Sequence, residues 1–442
     1  MFLPEAVLRC IGALESAGYE AYAVGGCVRD ALLGLTPHDY DLCTNAVPSE
    51  TARIFGSCTL VRSGEKHGTI GVVMDQQVYE ITTFRTEGGY QDGRHPDWVR
   101  FVPTIEEDLA RRDFTVNAMA YSPSRGYIDP WGGQQDLRAG ILRCVGGPAT
   151  RFTEDALRIL RGVRFAVRYH LAPEAETERA MIALAPRMDQ LARERVFDEL
   201  CKLLPLVSAQ DLLRYCPVLT QVLPELAPTV GFQQHNPHHA YDVYTHTAYV
   251  VQAVPPTLPL RFAALLHDVG KPASFIRDEA GIGHFPDHAK ISADMADRAL
   301  LRLKAPTALR RQVTELITWH MVPMEPDKRI LRRRMGKFGV EGARQLLYLQ
   351  RADFGSKGTG EQTDEFDRAD AILEQILAED ACLQIRDLAV NGHDLMALGL
   401  QGKQIGICQH ALLEQVLDEV LPNEKAALLQ AAKQLHCKEE RL

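Results

Sequence analysis

The stretch from Ala21 to Asn45, AYAVGGCVRDALLGLTPHDYDLCTN, constrains the fold more than any other part of the chain. Ala21 to Val24 is apolar and short enough for a buried strand. Gly25-Gly26 is a turn where backbone can approach a ligand, and Val28 to Leu33 reads as a short helix stopped by Gly34. A second strand is expected to carry Asp39 and Asp41. Side chains at i and i+2 of a strand share a face, so the two carboxylates project together while Tyr40 and Leu42 turn to the core. Adjacent hard oxygen ligands suit divalent ions such as Mg²⁺. Two such ions, roughly 3.5–4 Å apart, clamp the attacking and leaving oxygens of an in-line phosphoryl displacement. A bare D-x-D is also common on solvated turns, so the pair alone leaves both readings open.

From Thr51 to Phe101 the pattern stays strand-rich. The runs Gly68–Met74 and Val78–Phe84 are β-branched and apolar around the polar turn Asp75-Gln76-Gln77, which predicts a hairpin. Glu80 falls within its second strand and is either a further cation ligand or an edge-strand charge facing water. Phe84 to Val102 is rich in Gly, Arg and Asp and reads as a loop near the site or as an ordinary surface hairpin.

Taken whole, the string G-G-x-V-R-D-x-L-L-G-x(4)-D-x-D-x-x-T resembles the catalytic signature of the polymerase-β-like nucleotidyltransferases of class II. That group holds the bacterial CCA-adding tRNA nucleotidyltransferases and poly(A) polymerases. The resemblance implies catalysis by Asp39 and Asp41, with Glu80 as third metal ligand and Gly25, Gly26 and Arg29 beside a triphosphate. R-R-D-F-T-x-N-A at 111–118 resembles the family's second motif, implying that Arg112 meets nucleotide phosphate and Asp113 lies near the ribose, supported by Asn117.

Phe152 to Tyr169 is expected to be one helix capped by Thr153, with Asp155 and Arg158 adjacent at i, i+3. A carboxylate accepts from an exocyclic amino group and a guanidinium donates to a ring nitrogen, so one such pair can accept C and A and reject U and G. The alternative is a surface ion pair. The E-D-x-x-R-x-x-R setting resembles the family's base-selecting helix, and extends nucleotide or primer contacts to Arg161 and Arg164.

Beyond Gly231 histidines become frequent. His246, the dyad His267-Asp268 and Asp353 resemble in order the H…HD…D ligand set of the HD-superfamily phosphohydrolases, which implies a divalent transition metal or Mg²⁺ activating water against phosphate. His284, His288 and His320 are further ligands or phosphate contacts, and Lys271 follows the dyad. KRILRRRMGK at 328–337 carries six positive charges in ten residues and is a candidate for RNA phosphate contact, or a solvated helix face. Ile385 to Leu421 resembles the C-terminal segment of tRNA nucleotidyltransferases, with G-K-x-I-G expected as a tight turn.

With 442 residues, several cores are affordable. The net charge of −9 argues against a protein that coats nucleic acid by overall charge, leaving local basic patches to do that work. Ten scattered cysteines without a C-x-x-C pair read as reduced core residues. No apolar run approaches the roughly 20 residues of a membrane span, and nothing at the N-terminus reads as a signal peptide, so a soluble cytoplasmic protein is expected. The expected fold is α+β: a polymerase-β-like head with a mixed sheet over 1–150, a helical neck over 151–228, an HD domain over 229–356 and a helical RNA-binding tail over 357–442. The resemblance implies CCA addition to tRNA from CTP and ATP. Poly(A) synthesis, CC-only or A-only addition, HD-type RNA phosphohydrolysis and RNA binding without turnover remain alternatives, and the sequence does not set the oligomeric state.

Overall fold

The computed structural model describes residues 1–88, 98–360, 362–379 and 382–439, and its contacts divide the chain into two units. The first comprises Met1–Val207 with Arg214–Pro224, the second Ser208–Leu213 with Glu225–Leu442. The four segments expected from sequence are a finer partition than these two.

The strands of the first unit are β1 (Ala21–Val24), β2 (Leu42–Thr44), β3 (Leu60–Val61), β4 (Thr69–Met74), β5 (Gln77–Thr83), β6 (Arg85–Gly88), β7 (Trp98–Phe101), β8 (Ala120–Ser122), β9 (Gly126–Ile128), β10 (Ile141–Leu142) and β11 (Ala172–Pro173). Seven of them form one mixed sheet in the order β3-β4-β5-β2-β1-β8-β9. β1 lies inside this sheet and is buried at every position, which is why it is apolar throughout and does not alternate. Helix Glu5–Ser16 buries Val7, Cys10, Ile11 and Leu14. Tyr22, Val24, Cys43, Phe84, Leu109 and Ala120 belong to a continuous core.

The predicted hairpin is β4–β5. Its two linking residues, Asp75 and Gln76, take φ of 49° and 63°, so the connection is a two-residue turn with both residues left-handed, the hand that matches strand twist. β6 and β7 pair as a separate antiparallel ribbon, which favours the hairpin reading of that segment's flanks; residues 89–97 between them lie outside the described residues.

Two expectations near the head need correction. Asp39 and Asp41 are not within a strand, because β2 starts at Leu42; they occupy the segment leading into it, and Val24 N–H donating to Asp41 O extends the β1–β2 ladder that far. The segment after Gly147 is not one helix capped by Thr153. Helix Pro148–Glu154 ends, Asp155 is extended (φ −143°, ψ 104°), and a new helix runs Leu157–Tyr169. The cause is local: the Asp155 carboxylate accepts from the Leu157 N–H at 3.0 Å, offering that donor a partner other than the preceding helical turn.

The second unit is mostly helical, apart from a short ribbon pairing Ile276–Arg277 with Gly283–His284. Helices Val243–Ala253, Leu258–Leu266, His288–Arg302, Thr307–Trp319 and Lys328–Gly355 carry its first part. Helices Gly392–Met396, Lys403–Leu417 and Lys425–Glu439 carry its end, over a core that includes Leu388, Leu395, Leu412, Val416 and Leu428. G-K-x-I-G is not a turn: only Gly402 has a positive φ, and Lys403 already begins the helix. The cysteines among the described residues are free thiols, and no helix there is long and apolar enough to cross a membrane.

Candidate active site and candidate metal centre

β5 runs parallel to β2 with Leu42 opposite Ile81, a register that, carried one residue back, sets Asp41 beside Glu80. Tyr79, Ile81 and Thr83 are buried on one face of β5 while Glu80 stands exposed on the other. Asp39, Asp41 and Glu80 line a common cavity of about 960 Å³, and the two aspartates also line a second of about 440 Å³. Packing around Asp41 pushes its carboxyl above the usual carboxylate range; Arg112 opposes that, and Asp39 and Glu80 add to it. Three acids and one guanidinium therefore share a single electrostatic environment.

The smaller cavity gathers Gly25, Gly26, Arg29, Arg112, Asp113, Asp155, Arg158 and Arg161 around the aspartates. Gly25 has φ 76°, so glycine is required there by conformation, and a Cβ would lie 2.7 Å from an Arg112 guanidinium nitrogen and displace it. Arg112 is held by Asp108, a fully buried carboxylate that also accepts from Arg111 at 2.9 Å. Burial acts to raise the Asp108 carboxyl, but Arg111 and Arg112 outweigh it and hold it below the usual range. Asp108, Arg111 and Arg195 escaped the sequence reading. Asp108 stands three and four residues before the tandem arginines, a helical pairing that could have disclosed it.

Several expected ligand contacts are engaged with protein instead. Arg29 donates to Asp30, Asn117 and the Tyr169 hydroxyl and lies 4.2 Å from the Tyr169 ring centroid. Asp113, expected near a ribose, accepts from Arg161 at 2.8 Å and from Asn117 at 3.0 Å. Arg164 does not line the cavity; its guanidinium donates to the buried Glu199 at 2.6 Å. Asp155 and Arg158 both line the cavity but are not an ion pair. Asp155 accepts from Arg195 at 2.8 Å, while Arg158 donates to Glu154 at 2.7 Å and to the carbonyls of Arg151 and Arg111. The break at Asp155 removes the i, i+3 helical geometry that would have joined them.

The Asp113–Arg161 pair has a measurable signature. Burial works to raise the Asp113 carboxyl, yet Arg161 and the Asn117 amide more than compensate and hold it at about 2. A carboxyl depressed in the folded state contributes stability above its ordinary value near 4, which is lost as pH falls toward 2; the contribution is about 2 kcal/mol. Asp113→Asn should therefore lower stability near neutrality by that order and flatten the acid limb of a urea-unfolding profile. An unchanged acid limb would assign the pH dependence elsewhere.

In the second unit, His246, the dyad His267-Asp268 and Asp353 come together from three separate places in the chain. The His246 Nε2 lies 2.9 Å from Asp353 and 3.7 Å from Asp268, and the His267 Nε2 lies 3.2 Å from Asp268. Asp268, His288 and His320 form a second cluster sharing that carboxylate. In all four histidines Nδ1 faces a backbone carbonyl, of Ser356, Ala264, Phe285 and Ile317 respectively. A carbonyl only accepts, so Nδ1 carries a proton and Nε2 is the free nitrogen, a lone pair toward a bound cation or, on His267 without one, a second N–H held by the carboxylates. Lone pair against carboxylate is repulsive without positive charge between them. The His267 Nε2 and both Asp268 oxygens are buried and lack hydrogen-bond partners, although the Lys271 ammonium sits 2.7 Å from Asp268. Burial opposes a charge on His267, but Asp268 and Asp353 prevail and push it up to about 10. Such a donor set fits a divalent cation. The three head carboxylates are not drawn within 4.8 Å of one another as these two clusters are. His284 does not join the centre; it is exposed and pairs with Asp278 at 2.7 Å.

Comparison with known proteins agrees with this layout. Residues 21–143 match a model of the poly(A) polymerase head domain, and residues 275–432 a model of tRNA nucleotidyltransferase domain 2. A CCA-adding enzyme of Latilactobacillus sakei is 34% identical over 448 residues, covering 98% of this chain and 99% of the relative. One from Lactiplantibacillus plantarum is 33% identical, covering 96% and 94%. Among solved structures, the Bacillus stearothermophilus CCA-adding enzyme in complex with CTP is 28% identical, with a TM-score of 0.72 over 100% of both chains. The Thermotoga maritima CCA-adding enzyme complexed with tRNA, 19% identical with a TM-score of 0.59, covers 97% of this chain and 95% of its own and shares the fold. With a relative of this identity aligned over nearly its whole length, and the head motifs assembled around one cavity, the chain belongs to the CCA-adding enzyme family.

Proposed function

We propose that the head transfers nucleotides from CTP and ATP to the 3′ end of tRNA without a template, building CCA and releasing pyrophosphate. The observation that carries this reading is the register that sets Glu80 beside Asp41, on the rim of the cavity that also holds Asp155 and Arg158. Three hard oxygen donors with no nitrogen or sulfur ligand among them fit Mg²⁺. Bound there, Mg²⁺ lowers the pKa of a primer hydroxyl and offsets charge on the reacting phosphate. Asp39, Asp41 and Glu80 hold the ion. Arg111 and Arg112, fixed by Asp108, present guanidinium groups to the triphosphate.

Asp155 and Arg158 act on the base by separate routes. Each Asp155 oxygen has one contact, to the Leu157 N–H and to Arg195, so each keeps a lone pair for an amino group. Arg158 spends three N–H groups on protein acceptors and retains donors on Nε and Nη2. Asp155→Ala should therefore cost discrimination against UTP and GTP, by about ten- to a hundredfold. Arg158→Ala should weaken CTP and ATP together. The measurement is kcat/KM for all four nucleotides on a tRNA lacking its terminal residues. If both variants lose rate uniformly and keep the order of nucleotides, base reading lies elsewhere in the cavity.

The test of the function itself supplies CTP, ATP or both to tRNA transcripts ending before, within and after CCA. Growth that stops at CCA supports the reading. Long tracts from ATP alone would make the enzyme a poly(A) polymerase, and arrest after CC or a requirement for a preformed CC end would make it a partial adder.

A second reading applies to the second unit and rests on the four inward Nε2 atoms. His246, His267, Asp268 and Asp353 would hold a divalent transition metal or Mg²⁺, and His288 and His320 with Asp268 a second ion. Bound metal of this kind supplies hydroxide at neutral pH for phosphoester hydrolysis. Lys271, 2.7 Å from Asp268, places positive charge at the centre, and a cavity of about 310 Å³ lined by His320, Asp353, Phe354 and Phe366 gives a substrate access to it.

A further inference from the structure

Three of the six cations in the basic run at 328–337 are neutralised by acids. Lys328 pairs with Glu379, Arg332 with Glu419 and Arg333 with Asp418, so these cations are committed to holding helices together. Arg334 and Lys337, three residues apart, differ. Among the described residues neither has an acid within ion-pair distance, and the Arg334 Nε is buried with no hydrogen-bond acceptor. Lys337 instead sets its ammonium 3.3 Å from the Trp319 ring centroid. Arg311, on the same helix as Trp319, is exposed and also without an acidic partner among the described residues.

Of these cations Arg311 lines a cavity of about 490 Å³ between helix Thr307–Trp319 and the middle of helix Lys328–Gly355, within the range of small-ligand sites, and Lys337 touches its Trp319. The longer helix breaks at that point. Gly339 takes φ 72°, ψ 168°, and a Cβ built on it would meet nothing, so the break opens space and no neighbour forces it. Trp319 and Phe338 line the cavity with ring centroids 5.6 Å apart at 61°, which makes a corner able to take a third ring against one face and one edge. Glu315, Gln312, Gln345 and Glu341 also line it, a wall of acceptors and amides suited to an amino-bearing ring edge. Aromatic corner, acceptor edge and the uncompensated Arg311 guanidinium at one place match the ring, amino group and phosphate of a nucleotide.

We propose that this cavity receives one unpaired, amino-bearing base of the RNA, stacked at Trp319 and Phe338 with its phosphate against Arg311. The proposal rests on the reading of tRNA as substrate. It makes the cavity an anchor for RNA away from the reacting end.

The test is the affinity of a labelled tRNA transcript ending before CCA for the full-length protein. Trp319→Leu should weaken Kd about tenfold, with kcat at saturating tRNA unchanged, and Trp319→Phe should restore most of the loss because a phenyl ring still stacks. Arg311→Ala should reduce the dependence of log Kd on log salt by about one unit. A folded Trp319→Leu variant that binds as the wild type does overturns the proposal. Independently of that variant's folding, Trp98→Phe with Trp131→Phe leaves Trp319 as the sole indole; saturating RNA should quench its emission, and unchanged emission also overturns the proposal. Quenching by AMP or CMP that RNA does not displace would make this a free-nucleotide site and overturn the RNA assignment. If the wild type itself neither binds nor extends tRNA, the functional reading fails first, and the two failures are thereby told apart.

Discussion

Asp41→Ala is expected to lower nucleotide addition by on the order of a thousandfold, with Asp39→Ala close behind, while thermal unfolding stays near that of the wild type. The two expectations follow from one geometry. Both carboxylates are exposed and line two cavities, so no core packing depends on them. Removing one even relieves the mutual repulsion that helps hold the Asp41 carboxyl above the usual range. Their value lies in the positive charge they can hold beside the reacting phosphate. Glu80→Ala should fall in the same direction with a smaller loss, because its strand pairing places it next to Asp41 alone. The assay is single-turnover addition of CMP to a tRNA ending before CCA, with tRNA affinity measured in parallel. Retention of more than a few per cent of the rate by Asp41→Ala would move the ion-holding role away from this segment.

Asp268→Asn is expected to abolish metal retention in the second unit and with it any phosphoester hydrolysis, leaving nucleotide addition untouched. Asp268 is the hub of that centre: His246, His267 and His288 all approach it within 3.7 Å, and both clusters of ligand atoms include it. An amide in its place keeps the volume and removes the charge. Because Lys271 also pairs with Asp268, His246→Gln serves as the companion variant that spares that contact. The measurements are metal content after dialysis against Mn²⁺, Ni²⁺, Co²⁺ or Mg²⁺ and hydrolysis of an RNA 3′-phosphate or 2′,3′-cyclic phosphate. A wild-type protein that retained none of these ions would make the four-histidine cluster a structural one.

Legibility in the sequence tracked how local the cause was. The β4–β5 hairpin could be read because alternation and a polar turn act within a few residues. The convergence of His246, His267, Asp268 and Asp353 could be read only through a resemblance, since nothing in their spacing says that three places in the chain meet. The break at Asp155 was missed because apolar periodicity on either side of it is the same with one helix or two; what decides is a side-chain oxygen capturing the Leu157 N–H. Arg164 was misjudged for a related reason. Its neighbours in sequence say arginine among arginines, and only packing supplies Glu199 from a helix 35 residues away.

By itself, then, the sequence determined the mixed-sheet head followed by helices and the kinds of ligand each centre can offer. Strand alternation, glycine conformation and ligand chemistry are properties of single residues and near neighbours, and they survive without knowledge of the fold. Tertiary structure alone decided which charged groups remain available. Arg164, Lys328, Arg332 and Arg333 are held by partners close in space, whereas Arg112, Asp155 and Arg158, although partnered as well, keep atoms facing a cavity. The reason is that a buried charge must find a counter-charge or hydrogen-bond partner, and the partner that wins is the one packing brings nearest.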